Sequence, residues 1–335
     1  MKILIINQTE VGQLLPYDEA IEAMRGAFTA LAQGKTIQPL RPILWLPEKV
    51  GALGMMPAYL EPIQAMGIKV VSVFPGNHGT EYDSHQGSVM LFETKNGRLL
   101  SLMDATEMTA VRTAAATAVA TDLLAHPEAT DLAILGSGVQ ARSHIAAMLE
   151  VRPTIQRVKV WSRNGDNAAE FARRATEKFG VPVTVADSVA GAISGSQIIC
   201  TTTAAPEPIL LNEMLEPGMH INAVGSSVPF AREIDSATMA QATLFVDRRE
   251  STVNESGDFL MAKADGVIDE DSIEAEVGEI LIGEHSGRSS YQEITLFKSL
   301  GLAIEDVAAA HHIYQKAVEK GVGTWVELGG ERTEF

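Results

Sequence analysis

Three basic side chains stand in stretches that are otherwise apolar. Lys69 lies within GIKVVSVF, Arg112 lies within TAVRTAAATA, and Arg41 precedes PILWLP. A buried ammonium or guanidinium group must be paired or must face a pocket. Taken singly, each residue could extend its charge to solvent or form a structural ion pair. Together, the three favour an anion pocket, in which a substrate carboxylate would be held in a fixed orientation.

A glycine-rich turn carries the second chemical signal. Residues 132–141 read LAILGSGVQA, which is an apolar strand, a G-x-G-x-x-A turn and the start of a helix. The two glycines permit a tight turn and a close approach of a pyrophosphate, and Ala141 permits close packing of the helix on the strand. The helix N-terminus offers free N–H groups and a positive dipole end. A second strand ends at Trp161, so the whole unit predicts a dinucleotide site.

The end of that second strand bears on the choice of cofactor. Sites that prefer NAD usually have Asp or Glu here, where the carboxylate binds the ribose 2′-hydroxyl. This chain has Trp161-Ser162-Arg163-Asn164 instead. A serine hydroxyl and a guanidinium fork can bind a 2′-phosphate, and hydrogen bonds to charged groups contribute roughly 1.5–3 kcal/mol each. The sequence therefore favours NADP(H), with NAD(H) as the alternative.

Other candidate residues carry less information. His85 could line a pocket or relay a proton, or could simply belong to a surface loop. His311 and His312 lack an acidic or histidine partner at helical spacing, so no metal site is expected. Cys200 lies in an apolar strand and is predicted to be buried and inert.

The elements that must position these groups fall into two regions. The first contains a helix pattern at residues 16–33, a small-residue helix at residues 106–124 and a hairpin signal at Asn96-Gly97. It also contains strand-like runs at residues 43–46, 67–74 and 87–92. This region predicts an α+β unit with a largely antiparallel sheet.

From Asp131 onward, apolar strand patterns alternate with helix patterns. That alternation predicts a parallel, doubly wound α/β sheet. Residues 265–284 are acidic and are predicted to form a surface helix or loop. Residues 296–320 predict one long helix that could return to the first region.

Composition excludes several classes of protein. A chain of 335 residues suggests two domains, and 46% hydrophobic residues with 21% charged residues exclude global disorder. The net charge of −17 disfavours nucleic acid and anionic membranes as partners. One cysteine excludes an intrachain disulfide framework. The opening MKILII indicates a first strand rather than a signal peptide, and no apolar run reaches about 18 residues. We expect a cytoplasmic enzyme or binding protein without a membrane span.

Ordered motifs over nearly the whole chain resemble the ornithine cyclodeaminase/mu-crystallin family, and within it the mu-crystallin-like ketimine reductases. They are MMPAYL, GIKVVSVFPGN, SHQGSVMLFE, MDATEMTAVRTAA, ILGSGVQARSH, WSRN, PEPIL, PGMHINAVGSS, REID, LFVD, NESGD and TLFKSLG. The resemblance implies a Rossmann dinucleotide-binding domain over residues 119–312. It implies a substrate-binding and dimerisation domain over residues 1–118 with 313–335, and hence a homodimer.

The resemblance also implies roles for individual residues. Arg41, Lys69 and Arg112 match the family's carboxylate-binding cations, in agreement with their unusual surroundings. The implied cofactor-binding residues are Gly136, Gly138, Val139 and Gln140 in the loop, Ser162, Arg163 and Asn164 at the adenosine ribose, and Thr113, Thr202 and Val224 elsewhere.

One departure from the family pattern bears on the reaction. Ornithine cyclodeaminases carry an aspartate after the strand that reads INAVG, and this chain has Ser227 there. A serine hydroxyl without a partner is a poor general base near neutral pH, whereas a carboxylate can be tuned to serve. Imine reduction needs only a hydrogen bond to the substrate nitrogen, from the hydroxyl or from a nearby water. The alternative for Ser227 is a plain small-residue turn.

The sequence thus predicts an NAD(P)H-dependent reductase of small cyclic imino acids, such as pyrroline-2-carboxylate or piperideine-2-carboxylate, with proline or pipecolate as product. Three alternatives stay open. They are an ornithine or lysine cyclodeaminase, an alanine dehydrogenase-like enzyme of open-chain substrates, and a non-catalytic mu-crystallin-like binding protein. The intact glycine turn and the three cations favour an enzyme.

Overall fold

The structure is a computed structural model that describes residues 2–77 and 79–330. It divides the chain into two compact units. The first unit comprises the residues up to Arg112 together with those from Leu302 onward, and the second is Thr113–Gly301. Residue 1 and residues 331–335, which the sequence assigned to the first domain, lie outside the described residues.

The N-terminal stretch begins with a strand, as the opening sequence predicts. The helices here are α1 (Gln8–Leu14), α2 (Tyr17–Ala32) and α3 (Ala105–Leu124). The strands are β1 (Lys2–Ile6), β2 (Thr36–Ile37), β3 (Ile43–Trp45), β4 (Ala52–Leu60), β5 (Ala65–Val73), β6 (His85–Glu93) and β7 (Leu99–Asp104). The Asn96-Gly97 hairpin prediction is confirmed, since β6 and β7 are antiparallel neighbours and Gly97 has φ +72°.

Strands and helices alternate through the middle of the chain. The strands are β8 (Asp131–Leu135), β9 (Arg157–Trp161), β10 (Val183–Val185), β11 (Ile198–Thr201), β12 (His220–Ala223), β13 (Thr243–Val246), β14 (Ile273–Glu276) and β15 (Thr295–Lys298). The helices are α4 (Val139–Val151), α5 (Gly165–Phe179), α6 (Val189–Ile193), α7 (Ser236–Gln241), α8 (Arg249–Glu255), α9 (Gly257–Ala264) and α10 (Val277–Leu281). The chain then forms α11 (Ala303–Lys320) and β16 (Thr324–Glu327).

The first unit has a largely antiparallel sheet, as predicted. Among the described residues its eight strands run β16-β1-β7-β6-β5-β4-β2, with β3 paired to β4. Only the β1–β7 pair in this part of the chain is parallel. Helix α11 packs on β4, β5 and β6. The packing is close, because a Cβ atom on Gly67 would lie 3.2 Å from Cγ2 of Val307.

The second unit contains the predicted parallel, doubly wound sheet. Its described strands run β10-β9-β8-β11-β12-β15-β13-β14, and every neighbouring pair is parallel. In chain order the first five read 3-2-1-4-5, which is the order of a Rossmann fold. The order reverses between β8 and β11, and ligands of such sheets bind beyond the carboxyl ends of the strands at that point.

Two sequence predictions for the C-terminal third are wrong in part. Residues 265–284 do contain the short helix α10, but they also supply the edge strand β14. The predicted helix over residues 296–320 begins only at Ala303, because residues 295–298 form the fully buried strand β15. Gly301, with φ +78°, turns the chain between the two.

The unit boundaries also differ from the predicted residues 118/119 and 312/313. The first boundary falls inside helix α3, after Arg112. The second falls just before α11, so the whole of that helix belongs to the first unit. The helix is assigned there because its apolar face is buried against the antiparallel sheet.

Candidate active site

Lys69 lies in the middle of β5, on the face of the sheet that helix α11 covers. Its register neighbours across the strands are Met56 on β4 and Val89 on β6, and Val89 in turn faces Met103 on β7. All four side chains are buried, with Lys69 only 4% exposed. The alternating pattern of β5 therefore directs an ammonium group into the interior, where it needs partners.

Two carboxylates at the start of α11 supply those partners. Asp306 accepts from Lys69 Nζ at 3.1 Å through Oδ1 and lies 2.9 Å from it through Oδ2. The same Asp306 Oδ1 accepts from Arg112 Nε at 2.9 Å, and Glu305 Oε2 accepts from Arg112 Nη1 at 2.7 Å. Both carboxylates are fully buried, and Arg112 is 3% exposed. We call these four residues the charge quartet.

The third predicted cation, Arg41, lies in the same unit of the chain. It is half-buried in the segment between β2 and β3. Burial lowers the pKa of Lys69 to about 8, the charges of Arg112 and Arg41 add to that decrease, and Asp306 opposes it. Burial also disfavours the charged form of Arg112, yet Asp306 and Glu305 outweigh it and raise the pKa of that guanidinium. The first unit therefore brings Lys69 and Arg112 to one carboxylate, that of Asp306, and also contains Arg41.

Sequence reasoning missed Glu305 and Asp306. It looked for a partner of Arg112 one turn along its own helix, whereas the partners lie about 190 residues further along the chain. One signal was present, because the two acids interrupt the apolar run AIEDVAAA. Acidic residues are common in the first turn of any helix, where they offset the dipole, so that signal alone was ambiguous.

The glycine turn of the second unit has the geometry that a dinucleotide requires. Gly136 has φ +126°, and a Cβ atom there would lie 2.7 Å from Oγ1 of Thr202 and 2.8 Å from its carbonyl oxygen. Gly138 is the N-cap of α4 and supplies no side-chain cap, and a Cβ atom there would meet nothing within 4 Å. The first N–H groups of α4 have no intrahelical partner and receive no side-chain cap from Gly138, as a pyrophosphate site requires.

The neighbouring residues fit the same group. Val139 is exposed at the first position of α4, and Gln140 follows it. The side-chain Oε1 of Gln140 is buried and, among the described residues, has no hydrogen-bond partner. A buried oxygen without a hydrogen-bond partner destabilises the folded protein unless a ligand or a water molecule donates a hydrogen bond to it. Thr113 and Val224 are both buried in the second unit, and Thr202 closes the turn through its bond to Leu135.

The end of β9 presents polar groups and no carboxylate. Ser162 accepts a hydrogen bond from Ser137 of the glycine turn, with 3.0 Å between their Oγ atoms. Arg163 is exposed, and its guanidinium forms no ion pair within the described part of the chain. Asn164 caps α5 by accepting from the N–H groups of Asp166 and Asn167. Ser162 and Arg163 are therefore available to a ligand phosphate.

Ser227 lies in the turn after β12, and buried charges hold that turn. Glu233 accepts from Gly225 N at 2.7 Å and from Thr201 Oγ1 at 2.6 Å. Lys298 Nζ donates to Ser226 O at 2.6 Å and pairs with Asp258 at 2.8 Å. Burial raises the pKa of Glu233, although the hydrogen bonds that it accepts oppose the increase. Sequence reasoning missed Glu233, Asp258 and Lys298, which lie in the motifs REID, NESGD and TLFKSLG.

The remaining candidate residues form contacts that are typical of structural roles. His85 is exposed at the start of β6, with its Nδ1 3.0 Å from Ser84 Oγ. His312 Nε2 lies 2.6 Å from Glu19 Oε2 of α2. Cys200 is buried, as predicted, and burial raises the pKa of its thiol to about 12. Among residues 2–77 and 79–330, no helix has the length and apolar character that crossing a membrane requires.

Comparison with known proteins gives a consistent result. The sequence model of the ornithine cyclodeaminase/mu-crystallin family matches residues 1–321. The ketimine reductase mu-crystallin of Mus musculus is 42% identical over 294 residues, which are 88% of this chain and 90% of that protein. A Delta(1)-pyrroline-2-carboxylate reductase of Bacillus cereus is 37% identical over 97% of this chain and 100% of its own length.

Solved structures show the same relationship. The Delta(1)-pyrroline-2-carboxylate reductase of Thermococcus litoralis, in complex with NADH and L-proline, superposes with a TM-score of 0.94 at 41% identity, over 96% of this chain and 99% of that one. An archaeal alanine dehydrogenase dimer with bound NAD superposes with a TM-score of 0.92 at 33% identity, over 98% and 100% of the two chains.

Proposed function

Because this chain belongs to the ornithine cyclodeaminase/mu-crystallin family, we propose that it reduces the C=N bond of small cyclic imino acids with a nicotinamide cofactor. Pyrroline-2-carboxylate and piperideine-2-carboxylate are the substrates that we favour, with proline and pipecolate as products. The observation that carries the proposal is the pairing of the buried Lys69 and Arg112 with Asp306, in one unit of a chain whose other unit carries the glycine turn.

The cations bind the substrate carboxylate. Nε and Nη1 of Arg112 are held by Asp306 and Glu305, so the guanidinium is fixed and its Nη2 stays available to a ligand oxygen. Lys69 is fixed by Asp306 in the same way and supplies a second donor. A carboxylate bound by fixed donors loses its freedom to rotate, which orients the adjacent imine carbon.

The reaction needs one hydride and one proton. When bound, the reduced nicotinamide supplies a hydride to the imine carbon, and the C=N electron pair moves to nitrogen. The proton arrives with the substrate as an iminium ion, or from water. Ser227 is the residue that we place at the substrate nitrogen, where its hydroxyl forms a hydrogen bond. A serine suffices here because no general base has to be ionised.

The cofactor is NADP(H) in preference to NAD(H). Support comes from β9, which ends without a carboxylate and is followed by Ser162 and the exposed Arg163. Both side chains can bind a 2′-phosphate, whereas neither offers the paired acceptors that hold a ribose diol. Gly136, Gly138, Val139 and Gln140 bind the pyrophosphate. Asn164 lies at the ribose, and Thr113, Thr202 and Val224 line the rest of the site.

A second candidate reaction has a specific observation in its favour. The archaeal alanine dehydrogenase superposes over nearly the whole chain, which supports an open-chain amino acid dehydrogenase as the second candidate. Pyruvate and ammonia would then replace the cyclic imino acid, with the same cations at the carboxylate. A cyclodeaminase is disfavoured, since Ser227 stands where such enzymes carry an aspartate. A cytoplasmic location stays a prediction.

The chain is also proposed to form a homodimer through the outer face of its antiparallel sheet. Pro57, Ile68, Met90 and Leu102 are consecutive register neighbours on β4, β5, β6 and β7. They lie on the face opposite Lys69, and all four are only half-buried. A continuous apolar row across four strands is typical of an interface.

The test is consumption of reduced nicotinamide by the purified chain. Pyrroline-2-carboxylate and piperideine-2-carboxylate are supplied in turn, with NADPH and with NADH, beside pyruvate plus ammonia. Arg112→Ala is the control, because it removes the guanidinium group that Asp306 and Glu305 hold in place. Fast turnover of a cyclic imino acid that Arg112→Ala abolishes is expected. Turnover of pyruvate and ammonia alone would favour the open-chain reaction, ammonia release from ornithine would favour a cyclodeaminase, and the absence of all three would favour a binding protein.

A further inference from the structure

The charge quartet contains as many buried anions as buried cations. Lys69 and Arg112 carry two positive charges, and Glu305 and Asp306 carry two negative charges at hydrogen-bond distance. The quartet as a whole is therefore neutral, whereas its two cations alone would carry two positive charges.

The net charge of the quartet decides whether a ligand with a protonated or a neutral ring nitrogen is favoured. One substrate carboxylate gives the occupied quartet one net negative charge, which attracts a positive charge on the ligand ring. Without Glu305 and Asp306, the two cations and the carboxylate would leave one net positive charge, which repels a cationic ring nitrogen in a partly desolvated site. A protonated ring nitrogen would then be disfavoured.

We propose that Glu305 and Asp306 set the charge of the carboxylate site so that it binds the imino acid in its zwitterionic, N-protonated form. This inference rests on the proposed function and deepens it. N-protonation matters to the reaction, because the C=N electron pair must move to nitrogen as hydride adds to carbon. The two acids touch Lys69 and Arg112, so they are positioning residues that act through the cations.

The geometry also explains why acids are needed at these positions. Asp306 contacts both cations at once and fixes the ammonium and the guanidinium relative to each other. Glu305 uses its second oxygen, Oε1, to accept from the N–H of Leu302 at 3.1 Å, which anchors the first turn of α11. An amide in place of Asp306 would keep the shape of the side chain but would remove its charge.

The experiment compares two ring ligands of equal size and different charge. Proline is a zwitterion with a cationic nitrogen, and pyrrole-2-carboxylate is an anion with a neutral ring. Inhibition constants of both are measured against pyrroline-2-carboxylate in the wild type, Asp306→Asn and Asp306→Glu. Glu19→Gln is the matched control, because it removes a carboxylate that pairs with His312 and Lys316 of the same helix, away from the quartet.

In Asp306→Asn, we expect the affinity ratio of pyrrole-2-carboxylate to proline to rise about tenfold or more. Asp306→Glu and Glu19→Gln should keep the wild-type ratio. A ratio in Asp306→Asn within about twofold of the wild type would overturn the inference. Loss of folding alone would lower both affinities together, so the ratio separates charge from structure.

Two further measurements keep the outcome unambiguous. Folding is followed by thermal melting and by binding of the reduced cofactor, and Glu305→Gln gives the same test where Asp306→Asn does not fold. Wild-type turnover is measured first. If the wild type reduces pyrroline-2-carboxylate and the ratio does not change in the variants, only the present inference fails. If the wild type reduces no imine, the proposed function fails.

Discussion

At the scale of single residues, burial and pairing decide what each charge can do. Lys69 and Arg112 are almost fully buried, and Asp306 contacts each of them and stabilises its charged form. Removing one partner of such a pair leaves an unpaired buried charge, which costs roughly 3–5 kcal/mol. Each variant in this cluster is therefore tested for folding by thermal melting beside its binding or activity.

Carboxylate binding is expected to weaken above about pH 8, where Lys69 loses its proton. Below that pH the ammonium is charged and binds the carboxylate, and above it the affinity falls by up to about tenfold per pH unit. The measurement is the inhibition constant of pyrrole-2-carboxylate against pH, since this ligand does not titrate near pH 8. Lys69→Arg stays protonated and should give a flat profile. A flat profile in the wild type would contradict this assignment.

Arg163→Ala is expected to lower kcat/KM with NADPH by about 10- to 100-fold, because a hydrogen-bonded contact to a phosphate is lost. With NADH the loss should stay below about threefold. Arg173→Ala is the matched control, since Arg173 is an exposed arginine of α5 that pairs with Glu170 and Glu177. A wild type that prefers NADH would show that the proposed cofactor preference is wrong.

At the scale of elements, each glycine of the turn before α4 has a different reason to be glycine. Gly136 needs its positive φ and the space beside Thr202 for the fold itself. Gly138 has an ordinary φ of −90°, and a Cβ atom there would have no neighbour within 4 Å. A side chain at this position would therefore clash only with a bound ligand. The same motif thus contains one position required by the backbone and one that the proposed cofactor would require.

This difference predicts opposite phenotypes. Gly136→Ala should lower the melting temperature, since strain and a contact below 3 Å both oppose the native turn. Gly138→Ala should keep the wild-type melting temperature without cofactor and lose at least about tenfold in cofactor affinity. Thermal melting and cofactor titration of both variants check this. Equal destabilisation by the two changes would be incompatible with the geometry.

The sequence predicted most helices, strands and turns, because hydrophobic periodicity and turn residues act over short stretches of the chain. The strand, turn and helix around Gly136 and the hairpin at Gly97 are of this kind. Strand β15 was missed because TLFK joins an apolar run of helical type without a break, and only pairing with β12 and β13 makes it a strand. Asp306 was missed because its partners are distant in sequence. Long-range pairing has no local signal in a single chain.

At the scale of the whole molecule, the apolar row on the first unit supports the proposed homodimer. Ile68 is central in that row, with Pro57 and Met90 as its register neighbours. Its side chain faces away from the covered side of the sheet that carries Lys69. A buried charge at this position would disrupt an interface without contacting the quartet.

Ile68→Glu is therefore expected to convert a dimer into a monomer at micromolar concentration, because an unpaired carboxylate would be desolvated at the interface. Sedimentation velocity measures the change. Val185→Glu is the control, since Val185 is an exposed residue of β10 in the other unit. A monomeric wild type, or an Ile68→Glu variant that stays dimeric, would refute the proposed interface.

The central claim is that hydride passes from the nicotinamide to the carbon of a cyclic imine. The most direct measurement supplies pyrroline-2-carboxylate with a reduced cofactor that carries deuterium at both hydrogen positions of nicotinamide C4 and locates the label in the product by NMR. The account predicts proline with one deuterium at its α-carbon and loss of that product in Arg112→Ala. Proline without the label, or labelled alanine from pyruvate and ammonia with no labelled proline, would contradict it.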